Sequence, residues 1–341
     1  MQASYEHNAA DPFGEFRPAG FERAFDLLGA RFEFRSHSAE LIALVDAAYA
    51  GLPQQRLEAD QPPLRVALSL IEDDSLAGTE EPPSPRMQGG AGQFGAIIDG
   101  ANFAFAAPGA RGATVSISRG LLMRHRYHAR YELLEFAVFM LASRAQGLIP
   151  LHAACVGWRG QAALLVGESG AGKTTLSLQS LLDGMEFLTE DAVFIDAASL
   201  RATGVANYLH PRFDALRFVQ PESRRAQITA SPVIRRRSGV EKYELDLRTS
   251  GGVLAEAPLK LTAIVMLSAE SAGDGSLLRE LAAPSALERL RASQPYAAQL
   301  QSWAGFEHHC LRLQFLELRR GSHPREGVAA LRDLLSAGEP R

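Results

Sequence analysis

A glycine-rich segment is the part of this 341-residue sequence whose residue types most clearly specify chemistry. Residues 167–174 read Gly-Glu-Ser-Gly-Ala-Gly-Lys-Thr and fit the pattern G-x-x-x-x-G-K-[ST] in full. An apolar run precedes them, and a helical pattern follows from Lys173 to about Asp183, with Gly184 as its expected C-cap. Such a loop between a strand and a helix is typical of a P-loop, in which backbone amides and the helix N-terminus hold phosphate oxygens.

The side chains of this loop predict a nucleoside triphosphate and its metal as ligands. The ammonium group of Lys173 is expected to reach the β- and γ-phosphates, and the hydroxyl of Thr174 to bind magnesium. We therefore expect ATP and Mg²⁺ as cofactors. The residues expected to bind the nucleotide are Gly167, Glu168, Ser169, Gly170, Ala171, Gly172, Lys173, Thr174 and Thr175. The alternative, a glycine-rich turn that binds nothing, accounts less well for a match of both motif and context.

An acidic pair, Glu190-Asp191, lies 17 residues after Lys173, between two short apolar segments. Phosphoryl transfer needs carboxylates near the γ-phosphate, to hold magnesium and to accept the proton of an attacking hydroxyl. We predict Asp191 and Thr174 as metal ligands and both acids as candidate catalytic residues. Neighbouring side chains point in opposite directions along an extended chain, so the turn must bend for both to serve one site. The alternative is a solvated turn, and the sequence leaves open which acid is the base.

A second group of candidates is basic. The run Arg235-Arg236-Arg237 has the charge to stabilise a transferred phosphoryl group or to dock an acidic partner, and Lys242 is a similar case. A charge run is more often a solvated face, and that interpretation stays open. The sequence also contains the adjacent residues His308, His309 and Cys310, which have no further ligand at metal-site spacing and are expected to be ordinary strand residues.

Hydrophobic periodicity predicts the elements that position these residues. Strands are expected at 31–35, 64–71, 94–98, 103–106, 114–117, 152–157, 161–166, 186–188, 192–195, 259–267 and 308–318. Helices are expected at 39–50, 127–145, 173–183, 283–292, 296–305 and 325–337. Residues 72–92, rich in acid, Pro and Gly, predict an exposed loop. The runs 152–157 and 161–166 predict a hairpin that leads directly into the P-loop, whereas most P-loop NTPases place the loop after a first parallel strand.

Composition limits the class of protein. The formal net charge of −4 gives no electrostatic reason to expect nucleic acid or an anionic membrane as a partner. The N-terminus lacks the features of a signal peptide, and no apolar run is long enough to span a bilayer. The two cysteines, Cys155 and Cys310, lie in apolar stretches that predict strands, and they cannot form a disulfide framework for a chain of this length. We therefore expect a cytoplasmic protein.

The pattern divides the chain into three parts. Residues 1–17 are predicted to be a disordered tail, 18–146 an α+β region, and 147–341 a P-loop domain. The boundary near residue 147 has no linker composition, so the two larger parts are able to share one core.

Residues 151–195 resemble the C-terminal domain of HPr kinase/phosphorylase and its related serine kinases, a group that includes proteins encoded beside peptide-modification genes. The shared pattern is a strand opening with His, a hairpin, a G-[DE]-S-G-x-G-K-[ST] loop and an acidic pair in the next strand region. Weaker similarity continues to the C-terminal helix, whereas the part up to Gln146 does not resemble the N-terminal domain of HPr kinase. The resemblance implies an α/β fold, a P-loop domain with a mixed sheet of the HPr kinase/PEP carboxykinase type.

The resemblance also implies an activity, an ATP- and Mg²⁺-dependent kinase that phosphorylates a serine hydroxyl of a peptide or protein. His152 matches a family histidine near the phosphates, although a histidine at this position is otherwise expected to be a hydrogen-bonded core residue. Glu190 stands where the family usually has Asp, which adds a methylene. The relatives tend to form homo-oligomers. Two alternatives remain at this stage, an ATP-binding regulatory module without phosphotransfer and a kinase for a small molecule such as free serine.

Overall fold

The computed structural model describes residues 20–57, 61–273 and 275–337, and over these residues the chain is a mixed α/β structure with two large mixed sheets. The predicted tail at residues 1–17 lies outside the described residues. In the described part of the chain no helix is both long and apolar enough to cross a membrane.

The first sheet has seven strands in the order β1-β2-β3-β7-β6-β5-β4, with β2, β3 and β7 mutually parallel and the other pairs antiparallel. Its strands are β1 Phe21–Leu27, β2 Ala30–Ser36, β3 Leu64–Ile71, β4 Arg86–Gly90, β5 Gln93–Ile97, β6 Phe103–Ala107 and β7 Gly112–Ser118. Sequence periodicity missed β1, and it assigned the chain around β4 to a loop. The latter interpretation is wrong because residues 86–97 form a two-stranded hairpin at the edge of the sheet, although every residue of β4 is exposed.

One face of the first sheet is covered by helices α1 Ala39–Tyr49 and α3 Glu135–Ala145. Strand β2 alternates between buried and exposed residues, so that Phe32 and Phe34 enter the core, where the ring of Phe34 stacks on Tyr49 at 5.4 Å. Helix α3 is preceded by the short helix α2 Arg119–Arg124, an α-helical turn at Arg126–His128 and a π-helical segment at Ala129–Leu134. The predicted helix at 127–145 is therefore present, with an irregular first half.

The second sheet contains the P-loop strand. Its main path runs β11-β9-β10-β18-β13-β12-β8, and β20 adds to β18, with β19 beyond it. Strand β10 is parallel to β18 and β18 is parallel to β20, whereas the other pairs are antiparallel. These strands are β8 Ile149–Leu151, β9 Ala154–Trp158, β10 Gln161–Val166, β11 Glu186–Thr189, β12 Val193–Ile195, β13 Arg201–Thr203, β18 Leu259–Ser271, β19 Leu278–Glu280 and β20 Gln314–Arg320.

Two small two-stranded sheets and five helices complete the second half. The small sheets pair β14 Tyr208–Leu209 with β17 Leu245–Asp246, and β15 Val233–Arg235 with β16 Glu241–Tyr243. The helices are α4 Lys173–Leu182, α5 Glu222–Thr229, α6 Ala283–Ser293, α7 Trp303–Cys310 and α8 Pro324–Ala337. Helices α4 and α8 pack on each other, and the apolar face of α8 buries Val328, Leu331 and Leu335.

The segment 308–318 departs from its prediction as a single strand. Helix α7 includes His308, His309 and Cys310, and strand β20 begins only at Gln314. Cys310 is a buried thiol on a helix, whereas Cys155 lies in strand β9 as predicted, and both cysteines are free. The alternation of Leu311, Leu313 and Phe315 suggested one extended segment, yet Leu311 is exposed in the turn after the helix.

The two sheets share apolar packing. Phe194 of β12 and Val205 belong to the same hydrophobic core as the first sheet, and the ring of Phe139 on α3 lies 5.1 Å from that of Phe194. Polar contacts cross the same boundary, since the side chain of Asn207 donates to the carbonyl of Ala48 and Gln55 donates to that of Ala255. Helix α3 thereby forms one wall of the boundary between the two sheets.

Candidate functional site

The glycine-rich loop connects β10 to α4, as the sequence predicts. Gly170 and Gly172 have φ angles of +87° and +107°, which glycine adopts without steric cost, and a Cβ added at either position would meet nothing within 4 Å. Gly172 caps the helix, whose hydrogen-bond ladder begins where Leu176 donates to the Gly172 carbonyl. The amides of Lys173, Thr174 and Thr175 therefore have no acceptor within the helix, and they are available to an anion.

Lys173 is folded over this loop. Its Nζ lies 2.6 Å from the carbonyl oxygen of Gly167 and 3.3 Å from that of Glu168. Burial lowers the pKa of Lys173, with Lys242 adding to the effect, whereas Asp191 and Glu190 act to raise it. Lys173 therefore lies within electrostatic reach of the acidic pair and of Lys242.

The position of the acidic pair follows from an interrupted β-ribbon. Thr189 at the end of β11 lies opposite Cys155 of β9, and Val193 at the start of β12 lies opposite Leu151 of β8. Three residues on each side separate these two pairs, so the ladders keep a common register across a gap. The gap consists of Glu190-Asp191-Ala192 on one side and His152-Ala153-Ala154 on the other, so that His152 and the two acids belong to the same gap.

His152 and Asp191 approach each other in this gap, with 3.8 Å between Nδ1 and Oδ1. The main chain of His152 is held by Gln294, whose amide oxygen accepts from the His152 N–H at 2.8 Å and whose nitrogen donates back at 3.2 Å. The imidazole itself is 62% exposed, so His152 is not the buried core histidine of the alternative interpretation.

Asp191 also binds a guanidinium group. Arg236 donates to its Oδ2 at 3.1 Å and stacks over the ring of Tyr131, 4.9 Å from the centroid. Burial by itself would raise the pKa of Asp191, but Arg236 and then His152 lower it below its ordinary value. Of the three arginines in the basic run, only Arg236 reaches the acidic pair, since Arg235 pairs with Glu80, and Arg237 with Glu81 and Glu132.

Glu190 is the buried member of the pair and is tied to His210. One carboxylate oxygen, Oε1, accepts from both the backbone N–H and Nδ1 of His210, at 3.0 Å each. The other oxygen, Oε2, is buried and has no hydrogen-bond partner among the described residues. Because neighbouring residues point in different directions, the two acids have separate environments, Glu190 enclosed and Asp191 more exposed.

A chain of buried charges continues from His210. Its Nε2 lies 3.5 Å from a carboxylate oxygen of Glu244, and Arg130 of the π-helical segment donates to that same oxygen. Arg130 also lies 3.3 Å from Glu135. Burial by itself lowers the pKa of His210, but the bonds to Glu190 and Glu244 outweigh it and raise the pKa, which favours the imidazolium.

Three cavities surround these residues. The largest, of about 780 Å³, follows the P-loop and is lined by His152, residues 167–171, Arg289 and Arg320. A second, of about 390 Å³, lies beside Gly172 and Thr175, where the rings of Phe218 and His323 meet edge to face at 5.3 Å. We call these the phosphate cavity and the base cavity, after the phosphates and the nucleobase that we propose they bind.

The third cavity, also of about 390 Å³, lies between helix α3 and the acidic pair. We call it the acceptor cavity, after the phosphoryl acceptor that we propose it binds. His152 and Gln294 line both it and the phosphate cavity, so the two adjoin. Its polar lining includes Glu190, Asp191, His210 and Arg236, and its apolar lining includes Phe139, Met140, Phe194 and Val205.

The structure therefore brings together the predicted loop, acidic pair and His152, together with Arg236 and Lys242. It separates them from His309, whose Nδ1 contacts the carbonyl of Ala197 at 2.6 Å. Sequence reasoning gave no site role to His210, Glu244 and Arg130. The sequence signal for His210 was a polar residue between Leu209 and Pro211.

Comparison with known proteins adds no assignment, because no protein-family model matches the chain and no curated protein gives a significant match. Within the described ranges, no group of three or more His, Cys, Asp or Glu side chains is arranged to hold a metal ion.

Proposed function

We propose that the protein is an ATP- and Mg²⁺-dependent kinase that transfers the γ-phosphate to a hydroxyl group, on a serine of a peptide or protein. The observation that carries the proposal is the arrangement of the interrupted ribbon beside the P-loop. It places two carboxylates within electrostatic reach of Lys173, and it makes His152 a common wall of the phosphate and acceptor cavities. A kinase needs this arrangement, because donor and acceptor must meet in line at one phosphorus.

The fold supports the same family of enzymes. We infer that the second sheet is of the HPr kinase/PEP carboxykinase type, since a hairpin of β9 and β10 leads into the loop and the sheet mixes parallel and antiparallel strands. A doubly wound P-loop protein would instead have a parallel sheet with crossover helices.

The phosphates are assigned to the phosphate cavity and the nucleoside to the base cavity. The loop amides and Lys173 would hold phosphate oxygens, and Arg289 and Arg320 add positive charge to the same cavity. Thr175 and Phe218 line the base cavity, where an aromatic ring offers a surface for stacking.

The residues present fit magnesium. Mg²⁺ retains several waters and takes one or two carboxylates together with substrate phosphates, so it does not require a cage of protein ligands. Thr174 and Asp191 would hold it, and the partial exposure of Asp191 leaves room for waters. The ion supplies charge neutralisation at the phosphates when bound.

The roles of the two acids differ in this proposal. Asp191 is assigned to the metal, and Glu190 to the proton, because Glu190 lines the acceptor cavity and its buried Oε2 has no partner among the described residues. The acceptor oxygen bonds to the γ-phosphorus, the bond from that phosphorus to the β,γ-bridging oxygen breaks, ADP leaves, and the hydroxyl proton passes to the Glu190 carboxylate. Arg236 and His152 lie where negative charge on the transferred group requires compensation.

The test is phosphotransfer from labelled ATP to serine peptides, followed by identification of the labelled residue. We expect label on serine with the wild-type protein, and a loss of at least ~10³-fold with Lys173→Ala or with Glu190→Gln combined with Asp191→Asn. Calorimetric ATP affinity should persist in the acid variants and fall in Lys173→Ala. ATP binding without transfer to any hydroxyl would instead identify a regulatory module, and transfer only to free serine would identify a small-molecule kinase.

A further inference from the structure

The acceptor cavity is larger than a serine hydroxyl requires. A volume of about 390 Å³ lies in the range of sites that enclose a small ligand. The cavity therefore has room for a group that accompanies the hydroxyl, and the lining residues specify the chemistry of that group.

Part of the cavity wall is apolar and comes from both halves of the chain. Helix α3 supplies Phe139 and Met140, and the second half supplies Phe194, Val205 and Ala297. Phe139 and Met140 are only partly buried, so a ligand that covered them would remove further apolar surface from water.

The charged end of the cavity disfavours an anionic ligand. Three carboxyl groups line it, those of Glu135, Glu190 and Asp191. Its two guanidinium groups are already in ion pairs, Arg236 with Asp191, and Arg130 with Glu135 and Glu244, although the Nε of each lacks a hydrogen-bond partner among the described residues. The α-carboxylate of a free amino acid would have to compete with these carboxylates, whereas a peptide link carries no charge.

One buried carboxylate oxygen in the lining residues of this cavity has no hydrogen-bond donor among the described residues. The Glu190 side chain is 4% exposed, its Oε1 accepts from His210, and its Oε2 has no partner among the described residues. A buried carboxylate oxygen without a hydrogen bond is unfavourable, so a ligand that brings an O–H or N–H to Glu190 satisfies it. A serine within a peptide offers both its hydroxyl and its main-chain N–H.

From these observations we propose that the acceptor cavity binds a serine within a peptide whose neighbouring residue carries a bulky apolar side chain, and that this side chain packs against Phe139 and Met140. The inference rests on the proposed kinase function and specifies its substrate. It also gives the first half of the chain a role, because helix α3 contributes the apolar wall of the site.

The experiment compares blocked peptides, acetylated and amidated, that contain one serine flanked on either side in turn by Leu, Phe, Gly or Asp. We expect kcat/KM for the Leu and Phe peptides to exceed that for the Asp peptides at least ~10-fold, since filling an apolar pocket discriminates by about this factor or more. Free serine and serine amide form a second arm, which reports whether a small hydroxyl compound is the acceptor.

Two variants assign the preference to the cavity. Met140→Trp reduces its volume and should lower the ratio of kcat/KM for the Leu and Phe peptides to that for the Gly peptide ~10-fold. Phe139→Ala enlarges it and should shift the preference from Leu towards Phe. Met123→Trp is the matched control, because Met123 is 72% exposed on the short helix α2. This substitution should leave the preference among the peptides unchanged. Calorimetric ATP affinity and the urea midpoint identify any variant that fails to fold.

Each outcome bears on one proposal. Phosphorylated serine with no flanking preference, or a preference unchanged in Met140→Trp, overturns the apolar-neighbour inference and leaves the kinase proposal standing. Phosphorylation of free serine in preference to every peptide overturns the peptide acceptor. Absence of transfer to any hydroxyl, with ATP bound, overturns the kinase proposal itself.

Discussion

The backbone N–H and the imidazole Nδ1 of His210 both lie 3.0 Å from a single oxygen of Glu190, which fixes that carboxylate and leaves its second oxygen unpartnered. Because a carboxylate only accepts hydrogen bonds, Nδ1 must carry the proton in this contact. His210 is therefore a positioning residue for the proposed base, and it is one that sequence reasoning did not identify.

Replacement of His210 is expected to affect turnover more than nucleotide binding. His210→Leu removes the donor to Glu190 and should lower kcat about 10- to 100-fold, the range found for partners that orient active-site ligands. His210→Asn retains a donor near the Nδ1 position and should recover part of the loss. Steady-state kinetics and calorimetric ATP affinity measure the two effects, and equal activity of the Leu and Asn variants would show that the hydrogen bond has no positioning role.

Arg236 is expected to set the acid limb of the pH–rate profile. It is the strongest influence that lowers the pKa of Asp191, against burial, which raises it. Removing it in Arg236→Gln raises that pKa, so more Asp191 is protonated at a given low pH, and the acid limb of kcat/KM moves to higher pH by about one unit. Arg235→Gln is the control, because Arg235 is exposed and pairs with Glu80 at 3.5 Å. An identical shift in both variants would contradict the assignment to Asp191.

The base cavity gives a prediction for nucleotide affinity. Phe218→Ala removes the ring that faces His323 and should raise KM for ATP about 10-fold with little change in kcat, since stacking on one aromatic ring contributes about 1–3 kcal/mol. Phe213→Ala is a suitable control, because Phe213 lies in the same 3₁₀ helix, Phe213–Phe218, but is exposed and packs on Tyr243 instead. A fall in kcat at constant KM would place the nucleoside elsewhere.

Glu244 is expected to contribute to acid sensitivity. Burial alone would raise its pKa, but His210 and Arg130 lower it from 4.5 to about 2. A carboxyl whose folded-state pKa is lowered stabilises the protein above about pH 4.5, and the contribution is lost as the pH falls towards about 2. The lowered pKa of Glu244 corresponds to about 3 kcal/mol of folding stability, because one pKa unit is about 1.4 kcal/mol. Urea unfolding should show wild type more stable than Glu244→Gln at pH 7, with the difference narrowing below about pH 4.5. A difference that stays constant with pH would argue against this linkage.

The close packing behind the acidic pair predicts that one added methyl group would destabilise the fold. A Cβ at Gly204 would lie 2.8 Å from the Cβ and Cγ2 of Thr189, the residue before Glu190. Gly204→Ala should therefore destabilise the fold by about 1–3 kcal/mol and reduce phosphotransfer as well. Gly305→Ala, in helix α7 with nothing near its Cβ, should be neutral or stabilising by up to about 1 kcal/mol. Urea unfolding measures both, and comparable stability of the two variants would contradict this account.

The sequence predicted the parts of the site that are contiguous along the chain. The P-loop motif, the strand before it and helix α4 are encoded by neighbouring residues, and the predicted helix bounds agree with Lys173–Leu182 within one residue. The charged chain beyond Glu190 was not predictable in the same way. Arg130 and Glu244 are 114 residues apart, and their contact depends on how the π-helical segment packs on the second half of the chain.

Local pattern also failed where two short elements adjoin. The alternation that suggested a strand at 308–318 belongs partly to helix α7, which is too short to show a helical period clearly. Strand β1 pairs along its full length with β2 although most of it is exposed, so the alternation that identifies a half-buried strand is missing there.

The shared core of the two sheets has a practical consequence for protein engineering. A fragment starting near residue 147 would present Phe194 and Val205 to water and would leave Glu244 without the guanidinium of Arg130. Such a fragment would expose apolar surface, which promotes aggregation, and Glu244 would keep only His210 of its two described partners. An exchange of the P-loop half between homologous chains must therefore also transfer the residues that contact the first half.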